Sequence, residues 1–200
     1  MCAACLDALP RLAPPLCERC GAPTAWPVSR CAECSGRRLA FASARAAVAY
    51  DQRTRRIVAG WKEHGLRRLA RDAAALVVEA VERPDADVLT FVPPDRGRAA
   101  KRGHHPAASL ARELAKLWEL PVEALLARPR PSARQRGATL AERRRNVRGA
   151  FTARASPRRV CLVDDVYTSG ATASAAASAL RHAGAKEVRV VTVARALRLR

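Results

Sequence analysis

Residues 160–172 read Val-Cys-Leu-Val-Asp-Asp-Val-Tyr-Thr-Ser-Gly-Ala-Thr, an order that could hold a phosphorylated sugar. Four apolar residues, Val160 to Val163, predict a buried strand. Asp164 and Asp165 follow at its C-terminal end, where open α/β sheets place ligands. Val166, Tyr167, Thr168, Ser169, Gly170, Ala171 and Thr172 then make a hydroxyl-rich turn that feeds a helix. Turn amides and a helix N-terminus present unpaired N–H groups, and the helix dipole favours negative charge. Thr168, Ser169 and Thr172 add hydroxyl donors, and Gly170 permits both an unusual φ and close approach of a phosphate. A bare phosphate has no use for two adjacent carboxylates. A sugar phosphate does, because Asp164 and Asp165 can accept hydrogen bonds from ribose hydroxyls while the turn holds the 5′-phosphate. A structural strand–turn–helix with an acidic cap would explain one aspartate, but not both together with the hydroxyls. The sequence contains no Gly-x-x-x-x-Gly-Lys-Ser/Thr, which excludes a P-loop.

The second chemical signal is six of the seven cysteines, spaced as Cys2/Cys5, Cys17/Cys20 and Cys31/Cys34. The N-terminus, Met-Cys-Ala-Ala-Cys-Leu-Asp, has neither a basic nor an apolar leader region. No apolar run approaches the ~20 residues that span a bilayer. The reading is therefore cytoplasmic, without membrane insertion, and a reducing compartment favours thiolates on a metal over disulfides. A tetrahedral zinc site takes four thiolates. Cys17, Cys20, Cys31 and Cys34 are assigned to one site, since ten residues separate Cys20 from Cys31 and that spacing suits two facing knuckles. Cys161 lies in an apolar run and reads as a small core residue.

The net charge of +19 is uneven: residues 128–159 hold eleven arginines against one acid, Glu142. Such a surface meets a polyanion, and a polyphosphate substrate or a nucleic acid would both qualify. Only four basic residues are lysine, and an Arg/Ala bias of this kind also reflects genome composition.

These groups need a scaffold. Residues 1–38 are Cys/Pro-rich and read as a small metal-held module, followed by a domain over 39–200. Ala42–Tyr50 predicts a strand, 66–82 an amphipathic helix ending before Pro84, and Asp87–Val92 a strand stopped by Pro93-Pro94. Ala107–Trp118 predicts a helix, 128–149 a mobile loop with a short helix near Glu142, Ala171–His182 a helix closed by Gly184, and Glu187–Ala194 a last strand. Alternating strands and helices imply an α/β parallel sheet with flanking helices.

The order of apolar strand, Asp-Asp, two residues and Thr-Ser-Gly-Ala-Thr resembles the 5-phosphoribosyl-1-pyrophosphate (PRPP) signature of type I phosphoribosyltransferases. Three further features resemble the ComF family within that fold. Val92-Pro93 with Arg102-Gly103 matches its pyrophosphate-loop region, although His104-His105-Pro106 stand where Phe-Asn-Gln is usual. Arg128, Arg130, Gln135, Arg143, Asn146, Val147, Gly149, Ala150 and Phe151 follow its pattern, and the multiple-CxxC N-terminus completes it. The resemblance implies a type I phosphoribosyltransferase-like sheet with an N-terminal zinc module held by four cysteines. It implies PRPP binding with Mg2+, and displacement of pyrophosphate from C1 of the ribose, with Asp164 and Asp165 as the catalytic pair. Arg96, Arg98, Lys101 and Arg102 would neutralise the leaving group, Lys62 matches a family position where lysine is common, and Arg143 belongs to the segment placed like the active-site hood. Purine-salvage relatives carry an aspartate where this chain has Thr168, which argues against hypoxanthine-type salvage. Family members often carry a further CxxC upstream, so Cys2 and Cys5 read as half of a second site.

Three functions stay open at this point. The chain is an enzyme using PRPP or a related compound, a nucleic-acid-associated accessory protein of competence and DNA uptake, or a PRPP-sensing regulator. Partners for the second are single-stranded DNA or a DNA-uptake helicase or processing protein. The charge favours that reading, while the 4% aromatic content is low for the stacking platforms of single-strand binders.

Overall fold

The computed structural model describes residues 1–63, 66, 68–94, 104–129, 150–156 and 158–197. In chain order the elements are α1 (Ala3–Asp7), β1 (Ser43–Ala49), α2 (Gln52–Glu63), α3 (Leu69–Ala80), β2 (Val88–Phe91), α4 (Pro106–Trp118), β3 (Leu126–Ala127), β4 (Thr152–Ala153), β5 (Arg159–Tyr167), α5 (Ala171–His182) and β6 (Glu187–Arg195). Four strands form one parallel sheet in the order β1–β6–β5–β2, and β3 and β4 make a small antiparallel pair. The α/β class with a parallel sheet is as the sequence implies.

Strand alternation divides the core between the two sheet faces. Val160 and Leu162 of β5, Val88 of β2 and Val188 and Val190 of β6 point to one face, which packs against α5 and the cysteine segment. Cys161 and Val163, Leu89 and Val191 point to the other, beneath α3 and α4. Strands covered on both faces have no polar face to show, which explains the near-continuous apolar runs. Cys161 is fully buried, and burial pushes its thiol up to about 12, in keeping with an inert core residue.

Three features differ from the sequence reading. The stretch 51–65 predicts no element, yet Gln52–Glu63 is α2, seated by only three buried residues, Thr54, Val58 and Trp61. The strand also does not stop at Val163. Pairing with β6 continues through Asp164 opposite Thr192 to Tyr167 opposite Arg195, so both aspartates belong to β5. The cysteine segment is likewise more than a metal-held appendage, because Cys17, Cys20, Ala22, Cys34, Leu39 and Phe41 enter the same core cluster as β5 and α5. Of the loop expected over 128–149, residues 130–149 lie outside the described residues.

The far ends of β2 and β5 are tied by charge. Asp87 accepts the Arg159 amide at 2.8 Å and its guanidinium at 2.7 Å. The guanidinium hydrogen bonds, then the amide, hold the Asp87 carboxyl down to about 2. A depressed carboxylate contributes stability above its unfolded pKa and loses it as pH falls through the folded value. Asp87→Asn should therefore flatten the stability profile between about pH 4 and pH 2. Chemical denaturation across that range checks this, and an unchanged acid limb would contradict it.

Candidate functional site

The site gathers at the C-terminal edge of the sheet. Asp164 Oδ1 accepts the Asp165 amide at 2.9 Å. Asp164 keeps some accessible surface, yet protein surrounds its carboxyl. Burial first, and the Asp165 charge second, push it up to about 8, against the pull of Lys62 and Arg128. A ligand hydroxyl or a cation arriving there would stabilise the charged form. Asp165 is answered directly, by Lys62 Nζ at 2.7 Å. Helix α2, which carries Lys62, is held near this edge by His104, whose Nε2 donates to the Trp61 carbonyl at 2.7 Å.

The turn after β5 is shaped by Gly170. Gly170 adopts φ 73° and caps α5 without a side chain. Ser169 Oγ receives the Ala171 amide at 3.4 Å. Among the described residues nothing accepts from the amides of Thr172 or Ala173, so that helix end still offers donors. A Cβ at position 170 would lie 2.2 Å from the Tyr167 hydroxyl, which makes glycine obligatory for space as well as for φ. Asp164, Val166, Tyr167, Thr168, Gly170, Thr172, Ala173 and Thr192 line a small cleft over this turn, with Thr168, Ser169 and Thr172 exposed.

The structure thus brings Lys62, Asp164, Asp165 and the 166–172 turn together. Arg96, Arg98, Lys101, Arg102 and Arg143 lie outside the described residues.

The fold also places here four residues whose contacts the sequence does not reveal. Arg128 donates from Nε to the Pro93 carbonyl at 2.9 Å, stacks 4.4 Å from the centre of the Phe151 ring, and bears on Asp164. His105 caps α4, its Nδ1 accepting the Ala108 amide at 3.2 Å. The neutral ring then carries its proton on Nε2, which is buried without a partner among the described residues, while its edge meets Phe91 at 5.0 Å. Burial, then the Arg112 charge, keeps His105 below the usual histidine range. With Pro106 at the first turn of α4, the His-His-Pro departure is a hydrogen-bonded helix start. Arg37 comes from the cysteine segment and donates to the Ser169 carbonyl at 2.6 Å, and Arg195, at the end of β6, lies 4.6 Å over the Tyr167 ring.

The thiols of Cys17, Cys20, Cys31 and Cys34 all lie within 4.8 Å of one another. Their sulfur separations include 3.7 Å for Cys17–Cys34, 3.5 Å for Cys20–Cys31 and 4.0 Å for Cys31–Cys34. Tetrahedral zinc with Zn–S of about 2.3 Å sets sulfurs about 3.8 Å apart, so the cluster fits a metal of that kind. At Cys17 burial opposes ionisation, but the amides of Cys20, Cys31 and Arg19 outweigh it and bring the thiol down to about 7. Cys2 and Cys5 are exposed and stand outside the cluster. Elemental analysis should return one zinc per chain, kept after Cys2→Ser and Cys5→Ser and lost after Cys17→Ser. Metal that leaves with Cys2 and survives loss of Cys31 would overturn the assignment.

No family model matches the chain. Among curated proteins it is 33% identical over 116 residues to Competence protein F of Haemophilus influenzae, a match covering 55% of this chain and 51% of that protein. The chain thus spans about half the length of the curated relative it matches. Among solved structures it is similar to glutamine phosphoribosylpyrophosphate (PRPP) amidotransferase from B. subtilis complexed with ADP and GMP (28% identity, 62% of this chain and 26% of that one, TM-score 0.44). It is also similar to the allosteric regulatory enzyme of purine biosynthesis (25% identity, 63% and 25%, TM-score 0.45). No helix among the described residues is long and apolar enough to cross a membrane. By sequence the chain is similar to Competence protein F over about half its length, and it carries a parallel α/β sheet and a four-cysteine cluster that fits a zinc finger.

Proposed function

We propose that this chain binds PRPP or a closely related phosphoribosyl compound at the β5–α5 turn and acts as a phosphoribosyltransferase. One observation carries the reading: an aspartate pair lies near the C-terminal end of an interior strand, separated by four residues from the glycine cap of a helix start with open amides. The 5′-phosphate sits on the 168–172 turn, and the ribose hydroxyls donate to Asp164 and Asp165. In the transfer, the C1–pyrophosphate bond breaks as an acceptor bonds to C1 and gives up its proton. Mg2+ bound with PRPP would supply positive charge to the pyrophosphate. The chain's own part is to bind, orient and neutralise. Lys62 holds Asp165 in place, Arg128 lowers the cost of charge on Asp164, and Arg96, Arg98, Lys101, Arg102 and Arg143 supply cations for the pyrophosphate. The four-cysteine cluster holds structural zinc.

A second reading, a nucleic-acid-binding accessory protein of DNA uptake, draws on the +19 charge and on the similarity to Competence protein F. Its partners would be single-stranded DNA or a DNA-uptake helicase. The sugar-phosphate site would then receive a nucleotide or a strand end.

Calorimetric titration separates the two. PRPP with magnesium should bind in the low-to-mid micromolar range, about −7 to −8 kcal/mol. Asp165→Asn should weaken binding about tenfold with the fold intact, since it removes a charge-assisted hydrogen bond. Absence of heat and of any thermal shift with PRPP would contradict the proposal. Single-stranded DNA should bind without sequence preference and steeply more weakly at higher salt, through counterion release by the arginines of 128–148. Sequence-selective or salt-insensitive DNA binding would favour the second reading instead.

A further inference from the structure

Two side chains join the cysteine cluster to the turn beside the aspartates. Arg195 ends β6, and the parallel register sets it opposite Tyr167. Its side chain is buried, and the residue is 1% exposed. Nη1 donates to the Cys20 carbonyl at 2.5 Å, and Nη2 donates to Glu33 at 2.8 Å and approaches Cys20 Sγ at 3.6 Å. A buried cation that loses its partners is strongly destabilising, and both partners here belong to the cysteine knuckles. Cys20 is itself in the cluster, and Glu33 lies between Cys31 and Cys34. The other side of Arg195 covers the Tyr167 ring at 4.6 Å.

Tyr167 passes this constraint to the turn. Its ring meets the edge of Phe41 at 6.2 Å, and its hydroxyl fills the space a Cβ at Gly170 would take. Arg37, three residues past Cys34, donates to the Ser169 carbonyl at 2.6 Å, and the Ala40 amide donates to Ser174 Oγ at 3.2 Å. Ser169 is thus held from its backbone, Tyr167 from its ring, and the first turn of α5 from Ser174.

We propose that Arg195 and Arg37 are positioning residues through which the metal-loaded cysteine cluster holds the 167–170 turn in its phosphate-receiving shape, so that metal and phosphoribosyl ligand bind with positive coupling. This rests on the reading of the turn as the PRPP site. With four thiolates on one ion, the Cys20 carbonyl and Glu33 are fixed where Arg195 needs them. With the ion removed the two knuckles are free to separate, and Arg195 and Arg37 lose their anchors. Linkage makes the effect reciprocal: whatever factor the metal adds to ligand affinity, the ligand adds to metal affinity.

The test uses the full chain and two readouts. Zinc affinity is measured by chelator competition with and without saturating PRPP and magnesium, and PRPP affinity by calorimetry on zinc-loaded wild type, Arg37→Ala and Arg195→Lys. Saturating PRPP should tighten zinc about tenfold, within the usual range of coupling between sites. Arg37→Ala, a change at an exposed contact, should weaken PRPP about tenfold by the same coupling, while keeping one zinc per chain and the wild-type far-UV spectrum. Arg195→Lys should weaken it at least as much, and if that variant fails to fold, the chelator competition and Arg37→Ala decide. Wild type that binds PRPP, with equal zinc affinity in its presence and absence and an Arg37→Ala affinity matching wild type, would overturn the coupling and leave the PRPP reading standing. Wild type that does not bind PRPP overturns both.

Discussion

A guanidinium withdrawn from water keeps its charge, so it must be compensated by acceptors of the protein. Arg195 is that group here. Its two Nη groups donate to the Cys20 carbonyl and Glu33, its flat face covers the Tyr167 ring, and its Nε has no partner among the described residues. Neither the cysteine knuckles nor the end of β5 can shift far without stranding that charge. The burial of Cys17, Cys34, Leu39 and Phe41 against β5 and α5 follows the same logic. The knuckles close one face of the sheet, beside the strand end where the aspartates sit.

The electrostatics of that edge are organised around two carboxylates that share one strand end. Adjacent like charges in a partly desolvated place cannot both ionise freely. The site resolves this asymmetrically, with Lys62 against Asp165 and a raised Asp164 beside it. Asp164 is then the group most changed by a ligand that brings hydroxyls and cations. The helix end of α5 supplies the opposite sign a few residues away. Acceptors beside donors within one strand–turn–helix are what a sugar bearing a phosphate needs, and what a bare phosphate would find repulsive.

Much of this is legible in the sequence because it is local. The strand–aspartate–turn–helix order fits within thirteen residues, and the knuckle spacing tells which four cysteines meet. What escapes is set by distant partners. Helix α2 is hidden because Gln52–Glu63 is mostly polar and buries only three residues. Asp164 and Asp165 read as loop residues after Val163, whereas pairing with Thr192 to Arg195 extends the strand past them. Arg195 and Arg37 are two arginines among many, and only the docking of the cysteine segment distinguishes them. His105 has no partner visible in the sequence, since its capping bond to Ala108 depends on where α4 starts.

The proposal that the 167–172 turn seats a sugar 5-phosphate is tested most directly by an experimental structure of the chain with PRPP and magnesium. The expected complex has the 5-phosphate against the amides of Thr172 and Ala173 and the hydroxyls of Thr168 and Ser169, with the ribose hydroxyls on Asp164 and Asp165. A ligand bound anywhere else, with this turn empty, would contradict it.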